Sequence, residues 1–354
     1  MVADLRSLIR PVAPPRIIDD TYTDDQFQRL VNVMRTEGPW ELILAQHFDS
    51  PEEVMATTTG SVPEGVELTW HMFLTPYFSG CLAKNGVCLF PEIEDCFLNL
   101  PFLDMARSVW KADYAKAAHM LFNINGPAAN NDPAHLDGTE FRGIDLQNAP
   151  VWLLNTMAKS GLFRSWQLKK AQVIAWFYRG AIGGGFTYWP DGPAALPQRI
   201  AAPMWNKGVV AENEMMYHRA EANGPVDQRM PKGLAFNSLL QADPAVPDGW
   251  QITSDGEVIQ AIPAQEARIL VHWGAELYID LTELKQVLDH TDDLTHDHVF
   301  DLFISDLRAR GHSFEVPTDP MHDREFIGLL TRAYDTGPPS IYPAEAQGPE
   351  QRAA

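Results

Sequence analysis

Cysteine is scarce in this chain of 354 residues, and its three copies form no recognisable motif. Cys81, Cys88 and Cys96 are separated by six and then seven residues, which matches neither a zinc ribbon nor a redox pair. An odd number of cysteines also argues against a framework of disulfide bonds. We therefore expect three free thiols that are buried in the core.

Long apolar runs are also missing. No stretch approaches the ~18 uninterrupted apolar residues of a membrane-spanning helix. No apolar segment of the kind found in a signal peptide follows the opening Met-Val-Ala-Asp-Leu-Arg. These two absences predict a cytoplasmic protein that does not associate with a membrane.

Positive charge is in short supply. The chain has 27 Lys and Arg against 47 Asp and Glu, so its formal net charge is −20. A field of this sign repels nucleic acid and anionic membrane surfaces, and we expect neither as a partner. The expected partner is a small-molecule substrate. An anionic small molecule would need a buried Arg or Lys that supplies local compensation.

What is present predicts a mainly β fold with helical flanks. The first 117 residues are mostly helical in pattern and predict an N-terminal region that packs on the core. Between residues 118 and 280, short β-branched and aromatic runs alternate with Gly, Pro and Asn, as in a sandwich or barrel of antiparallel strands. A helical insertion near 151–170 interrupts this core. Residues 281–354 predict C-terminal helices and then a flexible tail, over 336–354.

Several element boundaries can be predicted from local signals. The stretch from Thr23 to Gln26 has the form of a capping box and opens a helix. Thr295 is a candidate N-cap for a helix over 299–309, and a second helix is expected over 323–334. The predicted core strands are 119–125, 172–178, 186–189, 207–217, 250–253, 258–262 and 267–278.

A His-x-Asp tripeptide provides the first candidate for a metal site. Residues i and i+2 of a strand point to the same side, so a histidine and an aspartate at this spacing can bind one ion. With 11 His and 47 acidic residues in 354, chance predicts about 1.5 pairs of a histidine and an acidic residue at this spacing, and three occur. The pair at His47 precedes a predicted helix cap, and the pair at His290 lies in an acidic turn. The pair of His135 and Asp137 follows a predicted strand and is the preferred one.

A second histidine must come from another strand to complete two imidazoles and one carboxylate, the ligand set typical of non-haem iron oxygenases. His218 is the best candidate, because it ends the predicted strand 207–217 at a polar loop. Two structural alternatives remain open. His135 and Asp137 could belong to a simple loop turn, and His218 could be an ordinary histidine at a strand end.

The segments around these residues resemble the Fe(II)/2-oxoglutarate-dependent dioxygenases, in particular the taurine-dioxygenase-like and phytanoyl-CoA-hydroxylase-like branches. The stretch His135-Leu-Asp-Gly-Thr-Glu-Phe is similar to their first motif. Glu212-Asn213 with His218-Arg219-Ala220 resembles the region that carries their second histidine. The likeness covers roughly residues 119–280.

The resemblance implies a double-stranded β-helix, the jelly-roll or cupin-like core. It implies that His135, Asp137 and His218 bind Fe(II), and that 2-oxoglutarate is the co-substrate. The implied activity is that of an oxidoreductase, most simply a hydroxylase, which oxidises a small organic substrate and releases succinate and CO2. Because position 137 is a carboxylate, halogenation is not expected.

In the family, an arginine binds the far carboxylate of 2-oxoglutarate, and two residues compete for this role. Arg229 lies 11 positions after His218, a spacing common in the family, but its surroundings do not predict a strand. Arg268 opens a convincing strand but requires a long hairpin insertion, for which 231–263 is a candidate. We prefer Arg268, since a guanidinium held on a strand suits bidentate recognition of a carboxylate. A salt bridge to Glu266 or Glu276 is its structural alternative.

Further residues are candidates for the pocket. Asn123 and Asn125, on the strand before His135, could hydrogen-bond 2-oxoglutarate or the substrate. Most aromatic residues of such strands simply fill a core, and the sequence does not show which face of each strand is inside. The candidate substrate-contacting residues are Arg142, Trp176, Tyr178 and Tyr188.

Two other function classes remain open. A cupin-like metalloenzyme that does not use 2-oxoglutarate would release no succinate, and a non-catalytic jelly-roll binding protein would have no convergent ligands. The acidic, histidine-containing stretch 290–298 is a rival metal cluster, although the start of a solvated helix explains it better. The Trp-containing N-terminal third could form a substrate lid or the interface of a homodimer. The sequence does not identify the substrate.

Overall fold

A computed structural model describes residues 5–58, 67–129 and 134–343. The helices are α1 (Asp24–Thr36), α2 (Ile43–His47), α3 (Pro51–Thr58), α4 (Glu94–Phe97), α5 (Leu100–Trp110), α6 (Val151–Ser160), α7 (Leu281–Leu288), α8 (His296–Ala309) and α9 (Arg324–Ala333). The strands are β1 (Arg16–Asp19), β2 (Trp40–Glu41), β3 (Tyr77–Lys84), β4 (Val87–Cys88), β5 (Tyr114–Asn125), β6 (Lys169–Tyr178), β7 (Phe186–Tyr188), β8 (Gln198–Ile200), β9 (Met204–Ala211), β10 (His218–Ala220), β11 (Leu239–Ala242), β12 (Trp250–Ser254), β13 (Glu257–Ile262) and β14 (Arg268–Tyr278).

Within these described ranges the strands form three sheets, and all of their pairings are antiparallel. The large sheet has the order β1-β9-β6-β14-β5-β3-β4, the small sheet β10-β7-β8, and the third sheet β13-β12-β11-β2. The protein is therefore mainly β with helices, in agreement with the prediction.

The segment that contains His135 lies beside the small sheet. Isolated bridges pair Ala128 with Asn223 and His135 with His218. The backbone N–H of each histidine donates to the carbonyl of the other, at 3.0 Å in both directions. His135 therefore pairs antiparallel with the start of β10, on the free edge of that strand, and Ala128 pairs antiparallel just beyond the end of β10.

The two faces of the large sheet have different cover. Alternate residues of β5, β6 and β14 pack outward against α1 and α5, in the largest apolar cluster. The opposite residues face the small sheet, where Trp176 of β6 packs against Phe186 of β7 with ring centroids 4.8 Å apart. A third cluster joins α6, α8 and α9. The space between the large and the small sheet is where the candidate ligands lie.

The predicted helix caps are confirmed. The Thr23 side chain accepts from the Gln26 backbone, and the Gln26 side chain accepts from the Thr23 backbone, so both halves of the capping box are present. Thr295 caps α8 by accepting from the backbone of His298, and α8 begins three residues earlier than predicted. Helix α9 follows Asp323 and ends at Ala333, close to the predicted bounds.

The predicted strand 207–217 is wrong in its second half. β9 ends at Ala211, a 3-10 turn covers Asn213–Met215, and His218 begins β10 rather than ending a strand. The chain leaves the sheet here because the backbone N–H of Asn213 donates to the side chain of Gln172 instead of to a neighbouring strand. The helical insertion is also shorter than predicted: α6 ends at Ser160, and β6 begins at Lys169.

The flanks contain elements that the sequence analysis did not predict. The first 117 residues contain the expected helices, but β1 and β3 from this range also join the large sheet. Residues 336–343, predicted as part of a flexible tail, pack on the core: the indole of Trp189 donates to the carbonyl of Ile341. Positions 344–354 lie outside the described residues.

The three cysteines differ in burial. All three cysteines are free, as predicted, but only Cys96 is buried, while Cys88 is half-buried and Cys81 is exposed. The expectation of three buried thiols is therefore wrong for two of them.

Among the described residues, no helix combines the length and the apolar character needed to cross a bilayer.

Candidate metal centre

A close pair of residues, His135 and Asp137, and the sequence-distant His218 converge at the edge of the small sheet. His218 Nε2 lies 3.3 Å and His135 Nε2 lies 3.9 Å from the same oxygen, Oδ1 of Asp137. Among the described residues, these three form the one group of His, Cys, Asp or Glu whose ligand atoms all lie within 4.8 Å of one another. A His-Asp-His group of this kind could bind a metal ion.

Backbone pairing brings the three side chains together. The reciprocal hydrogen bonds between His135 and His218 align the two histidines, whose ring centroids are 4.5 Å apart. The backbone N–H of Asp137 donates to the carbonyl of Asn213 at 3.3 Å, which holds the chain beyond His135. His218 Nδ1 lies 2.9 Å from the carbonyl of Met216, so its Nε2 is directed toward the aspartate. A backbone carbonyl in contact with the other ring nitrogen is typical of metal-binding histidines.

The electrostatics of Asp137 favour its charged form. Burial by itself would raise the pKa of this carboxyl, but the imidazoles around it, His218 foremost, outweigh burial and lower the pKa well below its ordinary value. Asp137 is therefore a carboxylate at neutral pH and is available as an anionic ligand. Its second oxygen, Oδ2, is buried without a hydrogen-bond partner.

A third imidazole lies beside Asp137, and sequence reasoning did not single it out. His272 of β14 has its Nε2 4.0 Å from Oδ2 of Asp137, and this nitrogen is also buried without a partner. Its ring meets that of His119 edge to face, with centroids 5.3 Å apart. Burial lowers the pKa of both His119 and His272, so both are neutral at pH 7. The alternation of side chains along β14 could have indicated this residue, because His272 lies four residues after Arg268 and therefore on the same face of the strand.

Further buried polar groups extend from this point. The Gln172 side chain bonds both the backbone of Asn213 and the carboxyl of Glu214. Burial raises the pKa of Glu214 to about 7. Lys170 pairs with Glu140 nearby. Asn213 Oδ1 and Nδ2 and Glu214 Oε2 are buried without partners, so this end of the fold retains unused donors and acceptors.

Arg268 lies on the same face of the large sheet as His272. It is 2% exposed, and its guanidinium donates to the carbonyls of Gly184 and Gly185 at 3.0 and 3.5 Å. Among the described residues, no carboxylate lies within ion-pair distance of it, and the alternative salt bridges to Glu266 or Glu276 are not formed; Glu276 pairs with Lys116 instead. Burial lowers the pKa of this guanidinium. A buried cation without a counter-charge is costly, and an anionic ligand would remove that cost.

Arg229 has a different position. It follows a 3-10 turn at Val226–Gln228, is half-buried, and donates to the carbonyl of Gly224. The predicted insertion between His218 and Arg268 is present as β11, β12 and β13.

The register of the large sheet shows which strand faces are turned inward. Arg268 lies opposite Asn125, and Leu270 lies opposite both Asn123 and Trp176. Directly paired residues share a face, so these side chains are on the same side of the sheet as His272. Asn125 donates to Asn223 and to the carbonyl of Gly126, which uses both of its amide hydrogens.

The aromatic candidates are on the same side. Trp176 is fully buried, and its indole N–H lacks a partner. The Tyr178 hydroxyl donates to the carbonyl of Ile182, and the Tyr188 hydroxyl donates to Gln198. Arg142 does not share this position. Its guanidinium forms a salt bridge at 2.7 Å with Asp292, in the loop before α8.

The rival cluster at 290–298 does not converge on a metal position in the described structure. Asp292 is engaged by Arg142, His290 pairs with Asp293, and the remaining members begin α8. The interpretation of this stretch as a solvated helix start is confirmed.

The comparisons with known proteins do not assign a chemistry to this site. A scan against protein-family models and a search of curated proteins both found no match to the chain. The chemistry of the centre therefore has to be inferred from its own donor set.

Proposed function

We propose that the protein is a non-haem Fe(II)- and 2-oxoglutarate-dependent oxygenase that hydroxylates a small organic substrate. The observation that carries this proposal is the convergence of His135 Nε2 and His218 Nε2 on Oδ1 of Asp137. Two imidazoles and one carboxylate, with the remaining coordination positions open, are typical of iron sites that activate dioxygen.

The donor set fits a metal ion. Each imidazole has one ring nitrogen directed to a common position, and the carboxylate is ionised there. Both Nε2 atoms face the same oxygen, Oδ1 of Asp137, at 3.9 and 3.3 Å, so the three ligand atoms could surround one ion. Zinc also binds this set of ligands, so the choice of iron depends on the features that suit the co-substrate.

Arg268 provides the support for 2-oxoglutarate. The co-substrate has two carboxylates, and its C5 carboxylate would supply the counter-charge that the buried guanidinium lacks. Arg268 and His272 are four residues apart on one strand, roughly 13 Å along its axis. The anchor thus lies on the inward face of the large sheet, the same face from which His272 approaches Asp137. Arg229, on a half-buried turn, is less suited to this role.

The strand order supports a double-stranded β-helix as the core. The run β9-β6-β14-β5 would form one wall, and the His135 segment with β10, β7 and β8 would form the other. Along the chain the strands of this core change walls at each step except at β7 and β8, which are paired neighbours within one wall.

In this proposal the chain's residues bind, orient and exclude water. Iron with 2-oxoglutarate supplies the oxidation, in which dioxygen and the substrate C–H give an alcohol, succinate and CO2. His135, Asp137 and His218 hold the metal, and Arg268 holds the far end of the co-substrate. Trp176 and Phe186, which are both buried and pack with ring centroids 4.8 Å apart, would form an apolar wall of this space. The unused donors and acceptors of Asn213 and Glu214 provide polar contacts for a substrate.

Metal binding is the first test. The protein reconstituted without oxygen should bind one Fe(II), and Asp137→Ala or His218→Ala should abolish this binding, because each removes a ligand. The exposed histidine control, His290→Ala, should bind as the wild type does. Equal metal stoichiometry in all four proteins, measured by elemental analysis after gel filtration, would exclude the proposed centre.

The co-substrate is the second test. We expect succinate formation from 2-oxoglutarate by the iron-loaded protein, stimulated by the right member of a substrate library. Arg268→Ala should raise the 2-oxoglutarate concentration needed for half-maximal activity roughly 10- to 100-fold, as expected when a hydrogen bond to a charged group is lost. Arg229→Ala should leave this concentration nearly unchanged. The reverse ranking would assign the anchor to Arg229. A metal-loaded protein that neither binds 2-oxoglutarate nor forms succinate would instead indicate a metalloenzyme of another kind.

A further inference from the structure

His272 is the third imidazole at Asp137, and the proposed set of metal ligands leaves it without a role. The two oxygens of Asp137 face different groups. Oδ1 is the oxygen near the Nε2 atoms of His135 and His218, whereas Oδ2 is the oxygen near His272. A metal bound by the two ligand imidazoles would use Oδ1, which leaves Oδ2 for His272.

The two facing atoms could satisfy each other's hydrogen-bonding capacity. Oδ2 of Asp137 and Nε2 of His272 are buried, and neither has a hydrogen-bond partner in the described structure. Their separation of 4.0 Å exceeds a hydrogen bond by only about 1 Å, a small rotation of the carboxylate. A neutral imidazole with its proton on Nε2 is a donor, and an ionised carboxylate is an acceptor, so the pair is complementary.

The surroundings hold His272 in this orientation. Its backbone is in the middle of the large sheet, paired with Leu121 on one side and Ile174 on the other. The ring of His119 packs against it, and that ring occupies the space above Gly274. A Cβ at position 274 would lie 2.2 Å from the His119 ring, so a side chain larger than hydrogen would push His119 away.

We propose that His272 is a positioning residue: its Nε2–H donates to Oδ2 of Asp137 and holds Oδ1 toward the metal. This inference rests on the proposed metal centre and extends it beyond the three ligands. Residues that orient ligands in this way affect metal affinity typically by 10- to 100-fold when they are replaced.

Two amide variants distinguish the need for an N–H donor at the position of Nε2 from the need for any polar side chain at position 272. In His272→Gln the amide nitrogen can reach the position of Nε2, while in His272→Asn it falls near Nδ1. Both variants are neutral and polar. His272→Phe fills the volume of the ring without any N–H and serves if the Asn variant does not fold, as judged by circular dichroism. His290→Asn is the control for loss of an exposed imidazole.

The readout is Co(II) binding to the full chain, followed by the visible absorption of the bound ion. We expect His272→Asn and His272→Phe to weaken Co(II) binding about 10- to 100-fold and to alter the spectrum. His272→Gln and the control should remain close to the wild type. Equal affinity and spectrum in all variants would overturn the positioning role. Equal loss in the Gln, Asn and Phe variants would also overturn it, because it would indicate a direct ligand. A wild-type chain that binds no Co(II) would overturn the metal centre itself, and the inference with it.

Discussion

At the scale of single residues, the buried carboxyl groups beside the centre are the most unusual feature. Glu212 is 3% exposed, and its Oε2 accepts from the backbone of Val12. Burial raises the pKa of Glu212 to about 8, and the nearby Glu214 adds to the rise. Such an acid remains protonated in the folded chain at a pH where it is ionised in the unfolded chain. Folding therefore binds a proton, and stability falls as the pH rises from about 4.5 to about 8.

Glu212→Gln should remove this pH dependence. The amide oxygen can still accept from Val12, but the side chain no longer titrates. The stability of the variant relative to the wild type should therefore increase between pH 5 and pH 8, by on the order of 3 kcal/mol. Urea unfolding of the metal-free proteins at both pH values measures the change. The exposed Glu257→Gln is the matched control. A difference that is constant with pH would show that Glu212 is ionised in the folded state.

The three residues of the candidate centre could be predicted from the sequence, but their neighbours could not. His135 and Asp137 are two positions apart, so one local pattern indicates both. His218 was chosen as the end of a predicted strand and from the family resemblance, and the predicted strand end was wrong. His272 comes beside Asp137 through the pairing of β14 with β5, in which its partner is the sequence-distant Leu121. Glu214 comes near Asp137 through a turn that was predicted as a strand. Local alternation cannot show which strands become neighbours, and this pairing decides what surrounds Asp137.

At the scale of elements, the edge of the large sheet depends on a close approach at Gly80. This residue of β3 is opposite Phe122 of β5, and a Cβ there would lie 2.5 Å from the rings of both Phe122 and Trp40. Those two rings meet edge to face at 4.9 Å. The absence of a side chain at Gly80 therefore lets β2, with the third sheet, pack against β3.

Gly80→Ala should destabilise the fold by about 1–3 kcal/mol, because the added methyl group must displace two rings. Gly328→Ala provides a contrast within α9. There, the nearest atom to an added Cβ is the flexible end of Arg332, and alanine favours a helix by about 0.5–1 kcal/mol. Chemical denaturation of both variants checks the opposite signs. A neutral Gly80→Ala would mean that β2 can move away from β3 at no cost.

Element prediction was accurate where the signals are local and failed where tertiary contacts decide. The caps at Thr23 and Thr295 depend on neighbouring residues and were correct. The end of β9 was wrong because a side chain from another strand, Gln172, takes the N–H of Asn213. β1 was not predicted, since a segment of four residues becomes a strand only where an existing sheet offers an edge. β3 was missed because buried residues occupy consecutive positions along it, so the sequence shows no alternation.

At the scale of the whole molecule, the net charge of −20 is the dominant feature. Compaction brings like charges together, so self-repulsion opposes folding at low ionic strength. Raising NaCl from about 10 to about 150 mM shortens the screening length from about 30 to about 8 Å. We expect the urea midpoint to increase over this range with no change in slope. KCl should act equally. A decreasing midpoint would show that attractive ion pairs, such as Arg29 with Asp95, outweigh the repulsion.

The large sheet ends on both sides in short strands. β1 has four residues, with Arg16 and Asp19 at its ends, and β4 has only two. An open sheet margin with many unpaired amide groups is a template on which another chain can add a strand and begin an aggregate. Here β1 presents only four residues for such growth and carries charge at both of its ends. On this side, the wide apolar centre of the sheet is shielded from intermolecular β pairing by a short, charged border strand.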